Sequence, residues 1–199
     1  MTPRTAAAIA LAALAGCAAP NLERQPGPNA AEERWDEERE RFTRSRKIYD
    51  AFDDQAFATA TWQAPRVREA RAGQLAAWKD MTPAEREKLL AAERAEGERH
   101  EDFFLAFFTS DRRANDLVSP RSSWRIALAV AGETDVLPER VEMVPIDPTL
   151  QALYPYLGTF DLAYLIRFPP WKGARPLAET PFELVIAGAL GKIELRWNP

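Results

Sequence analysis

The chain opens with a short apolar run that leads to its only cysteine. Arg4 precedes ten small or apolar residues at positions 6–15, and Cys17 follows two positions later. A helix needs about 20 apolar residues to cross a bilayer, whereas this run has the length of the apolar region of a signal peptide. We therefore expect residues 1–16 to be a signal peptide. Because no second cysteine follows, the remaining 183 residues must fold without an internal disulfide and rely on packing.

The four residues Leu14, Ala15, Gly16 and Cys17 resemble the lipobox of bacterial lipoproteins. The resemblance implies cleavage between Gly16 and Cys17 and attachment of a diacylglyceryl group to the Cys17 thiol. Two buried acyl chains are enough for stable anchoring, because each methylene contributes about 0.8 kcal/mol. In enteric lipoproteins an Asp after the lipidated cysteine retains the protein at the inner membrane, so Ala18 implies the outer membrane. The expected location is therefore the bacterial cell envelope, with the membrane reached through the lipid anchor.

Two other interpretations of this segment stay open. One is an ordinary secretory peptide that is cut near Gly16, Ala18 or Ala19, and the other is a translation start that lies further into the chain. After the cysteine, residues 17–30 are polar and contain three prolines. This composition predicts a flexible, extended tether between the membrane and the folded body.

The charge balance excludes some partners. After residue 16 the chain has 25 Lys and Arg against 30 Asp and Glu, a formal charge of −5. This acidic balance argues against a nucleic-acid partner, and no polybasic patch is available for anionic lipid. A single histidine and a single cysteine argue against a zinc or copper site, and we expect no cofactor.

Residues 31–52 have the periodicity of a helical arm. Trp35, Phe42 and Tyr49 recur every seven residues, and charged side chains occupy most other positions. A narrow aromatic face of this kind must be buried against another apolar surface. Two interpretations follow: the face docks on its own domain, or it binds a partner helix.

A pair of helices is predicted within residues 65–97. The second helix begins at Thr82, which forms a capping box with Glu85. In the first helix, Trp78 is predicted to face inward. We expect the pair to be an insertion between two strands of the domain that spans residues 53–199.

Strand-like alternation dominates the rest of that domain. Short apolar stretches separated by turn residues predict strands at 56–62, 101–110, 124–130, 141–146, 160–168, 182–186 and 193–197. The last two of these strands are predicted to form a hairpin at the end of the domain. We therefore predict an α+β chain that is mainly an antiparallel β-sandwich of immunoglobulin-like type. In such a fold Tyr154 and Tyr156 would form a tyrosine corner.

Few residues suggest chemistry. His100 is accompanied by no recognisable nucleophile motif and is predicted to be a solvated surface residue. Glu101 and Asp102 are predicted to be solvated and to point apart, because neighbours on a strand face opposite sides. Among the remaining acidic side chains, the best oxygen-rich loop contains Asp111, Asn115 and Asp116. Their oxygen atoms suit a calcium ion, whereas the two arginines between them oppose a divalent ion, so calcium binding there is a less favoured interpretation than an ordinary polar turn.

The loop tryptophan Trp171 lies between two prolines and a Lys-Gly pair, and it is predicted to be exposed. It is either an interaction hot spot or a cover for one end of the sandwich. The sequence therefore favours a non-enzymatic interaction or assembly component whose partner is another envelope protein. The alternative is a hydrolase or ligand-binding lipoprotein with a site built from dispersed Asp, Glu and Tyr.

Overall fold

The structure, a computed structural model, describes residues 29–50 and 53–198. The predicted signal peptide, the lipidation site at Cys17 and the tether up to residue 28 lie outside these residues. Their assignment therefore stays a prediction. Within the described ranges, no helix combines the length and the apolar character that a membrane crossing requires.

The described part of the chain is an α+β fold with two antiparallel sheets. Its helices are α1 (Ala30–Phe42), α2 (Pro65–Trp78), α3 (Pro83–Arg99) and α4 (Pro148–Leu153). Its strands are β1 (Thr43–Asp50), β2 (Asp53–Trp62), β3 (Glu101–Thr109), β4 (Trp124–Val130), β5 (Arg140–Val144), β6 (Leu162–Phe168), β7 (Phe182–Gly188) and β8 (Gly191–Trp197). The predicted α+β class is confirmed at this level.

The larger sheet has the order β1-β2-β3-β6-β5, and the smaller sheet has the order β4-β7-β8. β3 is the central strand of the larger sheet, and residues 102–107 in it are all buried. Such a strand is apolar on both faces because both faces are covered. Aromatic rings from both sheets meet between them. The Phe182 ring stacks on Trp197 with 5.2 Å between the ring centres, and it meets Trp62 edge-on at 4.9 Å. The centre of the Phe103 ring lies 5.4 Å from that of Trp197.

The outer face of the larger sheet is covered by α1 and by the chain that follows α4. Phe104 of β3 stacks on Tyr154 at 3.9 Å, and Tyr154 meets the Trp35 ring edge-on at 5.6 Å. Trp35 also donates from Nε1 to the carbonyl of Leu153 at 3.1 Å and is only 1% exposed. Tyr156 bonds through its hydroxyl to Thr61 Oγ1 of β2. Tyr154 therefore links α1 to the sheet, and Trp35 docks on its own domain.

The prediction of one helix over residues 31–52 was wrong, because α1 ends at Phe42 and β1 follows directly. The Thr43 hydroxyl donates to the carbonyl of Arg39 and bonds Thr61, its partner across the β1–β2 pair. Ser45 bonds Thr59 in the same way. These cross-strand contacts favour a strand over the helix that the local charge pattern indicates. The domain therefore includes residues that the sequence assigned to a separate arm.

Helices α2 and α3 lie between β2 and β3, which are neighbours in the sheet, so they are an insertion as predicted. The predicted capping box is present, with Glu85 N bonded to Thr82 Oγ1 at 3.3 Å and Thr82 N bonded to Glu85 Oε2 at 2.9 Å. The hydrogen bond from the Thr82 hydroxyl lowers the pKa of Glu85. The predicted inward position of Trp78 was wrong, because it ends α2 and is 43% exposed.

Candidate functional site

The predicted aromatic interaction face is not assembled in the structure. Trp35 is buried, and Phe42 packs 5.5 Å from Trp62. Tyr49 lies on β1 and is 62% exposed. A strand and a helix place residues seven positions apart on different faces, so these three side chains form no common docking surface.

Trp171 is held in a fixed position in the loop between β6 and β7. Its indole Nε1 donates to the carbonyl of Arg175 at 2.9 Å. The ring lies directly against Gly173, where a Cβ atom would overlap ring carbon Cζ2. Trp171 is half-buried and packs against the core, so it is less exposed than the sequence predicted. A ring that is already ordered loses little conformational entropy when a partner covers it.

Trp171 forms one wall of an open cavity of about 460 Å³, which we call the tryptophan cleft. Another wall comes from the end of β2, the end of α3 and the beginning of β3. Its chemically distinctive lining residues are Trp62, Glu98, His100, Glu101, Trp171 and Arg175. Apolar rings and carboxylates therefore meet in a single concave surface, which is the usual composition of a binding site.

Glu101, the first residue of β3, is the chemically unusual group of the tryptophan cleft. Burial raises the pKa of its carboxyl group, and this effect outweighs the hydrogen bond from Trp62 and the charge of Arg68, which lower it. The bond from Trp62 Nε1 reaches Glu101 Oε2 at 3.0 Å. The ionised carboxylate is therefore poorly stabilised by its surroundings. A cation or a hydrogen-bond donor in the cleft would supply the missing stabilisation.

His100 lies beside Glu101 and is less exposed than predicted, with 23% of its side chain accessible. Its Nδ1 atom is buried without a hydrogen-bond partner and lies 3.6 Å from Glu139 Oε2. Protonated His100 would form an ion pair with Glu139 at this distance. The prediction of a solvated surface histidine was therefore wrong.

Behind the cleft, Asp102 is the centre of a buried ion cluster. Asp102 is 2% exposed, and its Oδ2 atom lies 2.8 Å from Arg68 Nη2 of α2. Its Oδ1 atom lies 3.2 Å from Arg167 Nε of β6. Glu93 of α3 joins the cluster through Arg71 at 2.6 Å and Arg68 at 3.4 Å. The cluster fixes the helical insertion to the central strands, and it thereby fixes one wall of the cleft.

The prediction that Glu101 and Asp102 point apart is confirmed, because Glu101 bonds Trp62 whereas Asp102 bonds Arg68 and Arg167. The prediction that both are solvated was wrong. Asp102 is buried because its arginine partners, which are 34 and 65 residues away in the sequence, surround it. No local spacing reveals such a partner. The only available signal was the position of two carboxylates at the start of an apolar strand.

The oxygen-rich loop uses its oxygen atoms within the protein. Asp111 Oδ1 accepts from the backbone N–H of Arg113, and Asp116 Oδ1 accepts from the hydroxyl of Ser122. Asn115 points inward, where its Oδ1 accepts from Tyr164 at 2.8 Å. Throughout residues 29–50 and 53–198, no cluster of three or more His, Cys, Asp or Glu side chains has the arrangement of a metal site. Calcium binding at this loop stays a prediction.

Comparisons with known proteins assign no family to this chain. No protein-family model and no curated protein sequence matches the chain. A crystal structure of a protein of unknown function from Burkholderia pseudomallei K96243 aligns with 85% of this chain and 84% of its own, at a TM-score of 0.46 and 12% identity. A likeness this distant carries no functional argument.

Proposed function

We propose that this chain is a lipid-anchored protein of the bacterial cell envelope that binds another envelope protein through the tryptophan cleft. The anchor rests on the apolar run and on Leu14, Ala15, Gly16 and Cys17, and the outer-membrane location rests on Ala18. We also infer an immunoglobulin-like sandwich, which the antiparallel pairing and the aromatic core between the sheets support.

The observation that carries the binding proposal is the pairing of a fixed tryptophan with a poorly stabilised carboxylate. Trp171 offers a ring held in place by Gly173 and by its bond to Arg175. In the same cleft, Glu101 offers a carboxylate whose ionisation is disfavoured by burial. A lysine or arginine side chain flanked by apolar residues fits both groups, through a charge-assisted hydrogen bond and a cation–π contact. The partner segment we propose therefore carries a basic side chain.

Binding in this cleft requires little rearrangement of the protein. The Asp102 cluster fixes the wall that carries Glu101, and the bond to Arg175 holds Trp171 in its loop, so both groups are positioned before a partner arrives. A basic side chain would displace water from the half-buried Trp171 ring and neutralise Glu101. Tryptophans of this kind often contribute about 2 kcal/mol or more to an interface.

The test is site-specific photo-cross-linking of the full lipidated chain in its native envelope, with the photoreactive residue at the exposed position 174 of the cleft. We expect one protein to be captured, through a segment with Lys or Arg at the cross-linked site. Trp171→Ala and the isosteric Glu101→Gln should both reduce capture by at least about tenfold. Trp78→Ala, which removes an exposed tryptophan at the far end of α2, is the matched control and should leave capture unchanged. Equal capture by all variants would refute the proposal.

The anchor requires a separate test. Cys17→Ser should abolish acyl labelling and block lipoprotein-type processing, because the serine hydroxyl cannot form the thioether to the diacylglyceryl group. Persistent labelling of this variant would show that the lipid is attached elsewhere, whereas an ordinary secretory peptide would leave even the wild-type chain unlabelled.

A second candidate function rests on the raised pKa of Glu101, since a carboxyl group that stays protonated at higher pH is suited to general acid catalysis. The alternative is a ligand-binding or hydrolytic site in the same cleft. A small molecule that binds the purified chain, is lost with Glu101→Gln and is chemically altered would favour the alternative over a protein partner.

A further inference from the structure

A second cavity, with a volume of about 470 Å³, shares Pro65 and Ala178 with the tryptophan cleft but has the opposite charge. We call it the arginine pocket. Three arginines line it, Arg41, Arg44 and Arg66, and the only acidic side chain among its lining residues is Glu179. Its apolar walls include the aromatic rings of Phe42 and Trp197. The pocket therefore combines an excess of positive charge with an aromatic surface.

Arg44 is the best-ordered cation of the arginine pocket. Its Nε atom donates to the carbonyl of Arg196 at 2.9 Å, and its Nη1 atom donates to the carbonyls of Arg41 at 2.8 Å and Thr43 at 2.7 Å. Its guanidinium carbon lies 5.9 Å from the centre of the Trp197 ring. Within the described ranges, these acceptors are all backbone carbonyls and no carboxylate forms an ion pair with Arg44. Burial lowers the pKa of Arg44, as expected for a half-buried cation without a counter-ion.

The other two arginines are also weakly compensated. Arg41 contacts the face of the Phe42 ring at 5.6 Å, and it has no ion pair with the described residues. Arg66, in the first turn of α2, has its nearest carboxylate oxygen, on Glu38, at 3.8 Å, and that carboxylate has a buried oxygen with no hydrogen-bond partner. Their side chains are exposed, so both guanidinium groups can turn toward a ligand.

We propose that the arginine pocket binds a phosphate group. Several guanidinium groups around one cavity match the oxygen atoms of phosphate, because each guanidinium can donate two parallel hydrogen bonds. The half-buried Phe42 ring would contact an apolar or sugar part attached to that phosphate. This inference goes beyond the proposed partner binding and does not depend on it, because the tryptophan cleft is a different cavity.

Two sources of the phosphate share this chemistry: a phospholipid headgroup and a phosphate on a molecule in solution. The sequence makes the first geometrically possible. Residues 18–28 separate Cys17 from the first described residue, and eleven extended residues span at most roughly 40 Å. A lipidated chain would thus hold residue 29, at the start of the described domain, within that distance of the membrane.

The test uses the full chain carrying Cys17→Ser, so that no acyl group brings it to lipid. Calorimetry with inorganic phosphate probes the soluble source, and co-sedimentation with phosphatidylcholine vesicles, with and without phosphatidylglycerol, probes the lipid source. Arg41→Gln and Arg66→Gln should each weaken the detected binding by about tenfold or more, since each removes a charge-assisted hydrogen bond. Arg86→Gln changes an exposed arginine of α3 outside the pocket and is the control.

Each outcome decides the proposal. Binding of inorganic phosphate that falls in both pocket variants supports a soluble ligand, and binding confined to phosphatidylglycerol vesicles with the same losses supports a headgroup. Binding that is absent from both assays, or equal in the pocket variants and in Arg86→Gln, would overturn it. Circular dichroism and thermal melting of the two exposed-site variants check that the fold is retained.

Discussion

Replacing Asp102 by alanine tests whether the buried ion cluster holds the helical insertion on the sheet. The change removes two charge-assisted hydrogen bonds, to Arg68 Nη2 at 2.8 Å and to Arg167 Nε at 3.2 Å. Arg68 is 4% exposed, so it cannot exchange the lost carboxylate for water, although it keeps a contact to Glu93 at 3.4 Å. Arg167 is a quarter exposed and can be resolvated. Because one cation is left buried and one is not, we expect a loss of about 3–5 kcal/mol in the free energy of unfolding.

Urea denaturation at pH 7, followed by circular dichroism, measures this loss as a shift of the midpoint at an unchanged slope. Asp135→Ala is the matched control, because Asp135 pairs with Arg125 at a similar 3.1 Å but on the surface, and should cost no more than about 1 kcal/mol. The double variant Asp102→Leu with Arg68→Met replaces the central pair by apolar side chains and should recover most of the stability. The reasoning would be refuted if Asp102→Ala cost no more than Asp135→Ala.

Three further predictions follow from other parts of the molecule. Glu101→Gln should make the protein more stable than the wild type as the pH rises, because the folded-state pKa of Glu101 lies above its ordinary value of 4.5 and its ionisation therefore opposes folding from that pH upward. The urea midpoints of wild type and variant should agree at pH 4 and diverge by pH 7, and parallel pH profiles would contradict this. Gln74→Met should raise the free energy of unfolding by about 1 kcal/mol or more, since both polar atoms of this fully buried amide lack hydrogen-bond partners. An unchanged or lower melting temperature of the variant would contradict this prediction. Gly173→Ala should displace the Trp171 ring, because the added methyl group would overlap it, and should shift the tryptophan fluorescence to longer wavelength. An unshifted spectrum would show that the loop adapts without moving the ring.

Much of the fold could be predicted where the signal is local. Period-two alternation located β4, β6 and the β7–β8 hairpin, because one face of each strand is buried against the other sheet. The beginning of α3 was predicted from Thr82 and Glu85, whose side chains bond the backbone of the same turn. These features depend on residues at most a few positions apart, so sequence spacing is enough.

Features that depend on distant partners were missed. The charged residues after Phe42 suit a helix locally, but pairing with β2 makes them a strand. The predicted inward position of Trp78 was wrong, because this side chain at the end of α2 is 43% exposed, although Val67 near the start of the helix is buried. At the candidate site, Trp171 was identified from its loop context. Glu101 was not, because its burial depends on Trp62 and on the α2–α3 insertion.

The helical insertion also affects how quickly the sheet can form. Trp62 and Phe103 are register partners, yet about 40 residues separate them in the chain. Closing a disordered loop of that length costs on the order of 3 kcal/mol in chain entropy. An antiparallel helix pair, with Arg68 beside Gly97 and Arg71 beside Glu93, forms from closer contacts and brings the two strand ends together. The insertion therefore lowers the effective contact order of the central strand pair, and a flexible linker of equal length would slow the formation of the β2–β3 ladder.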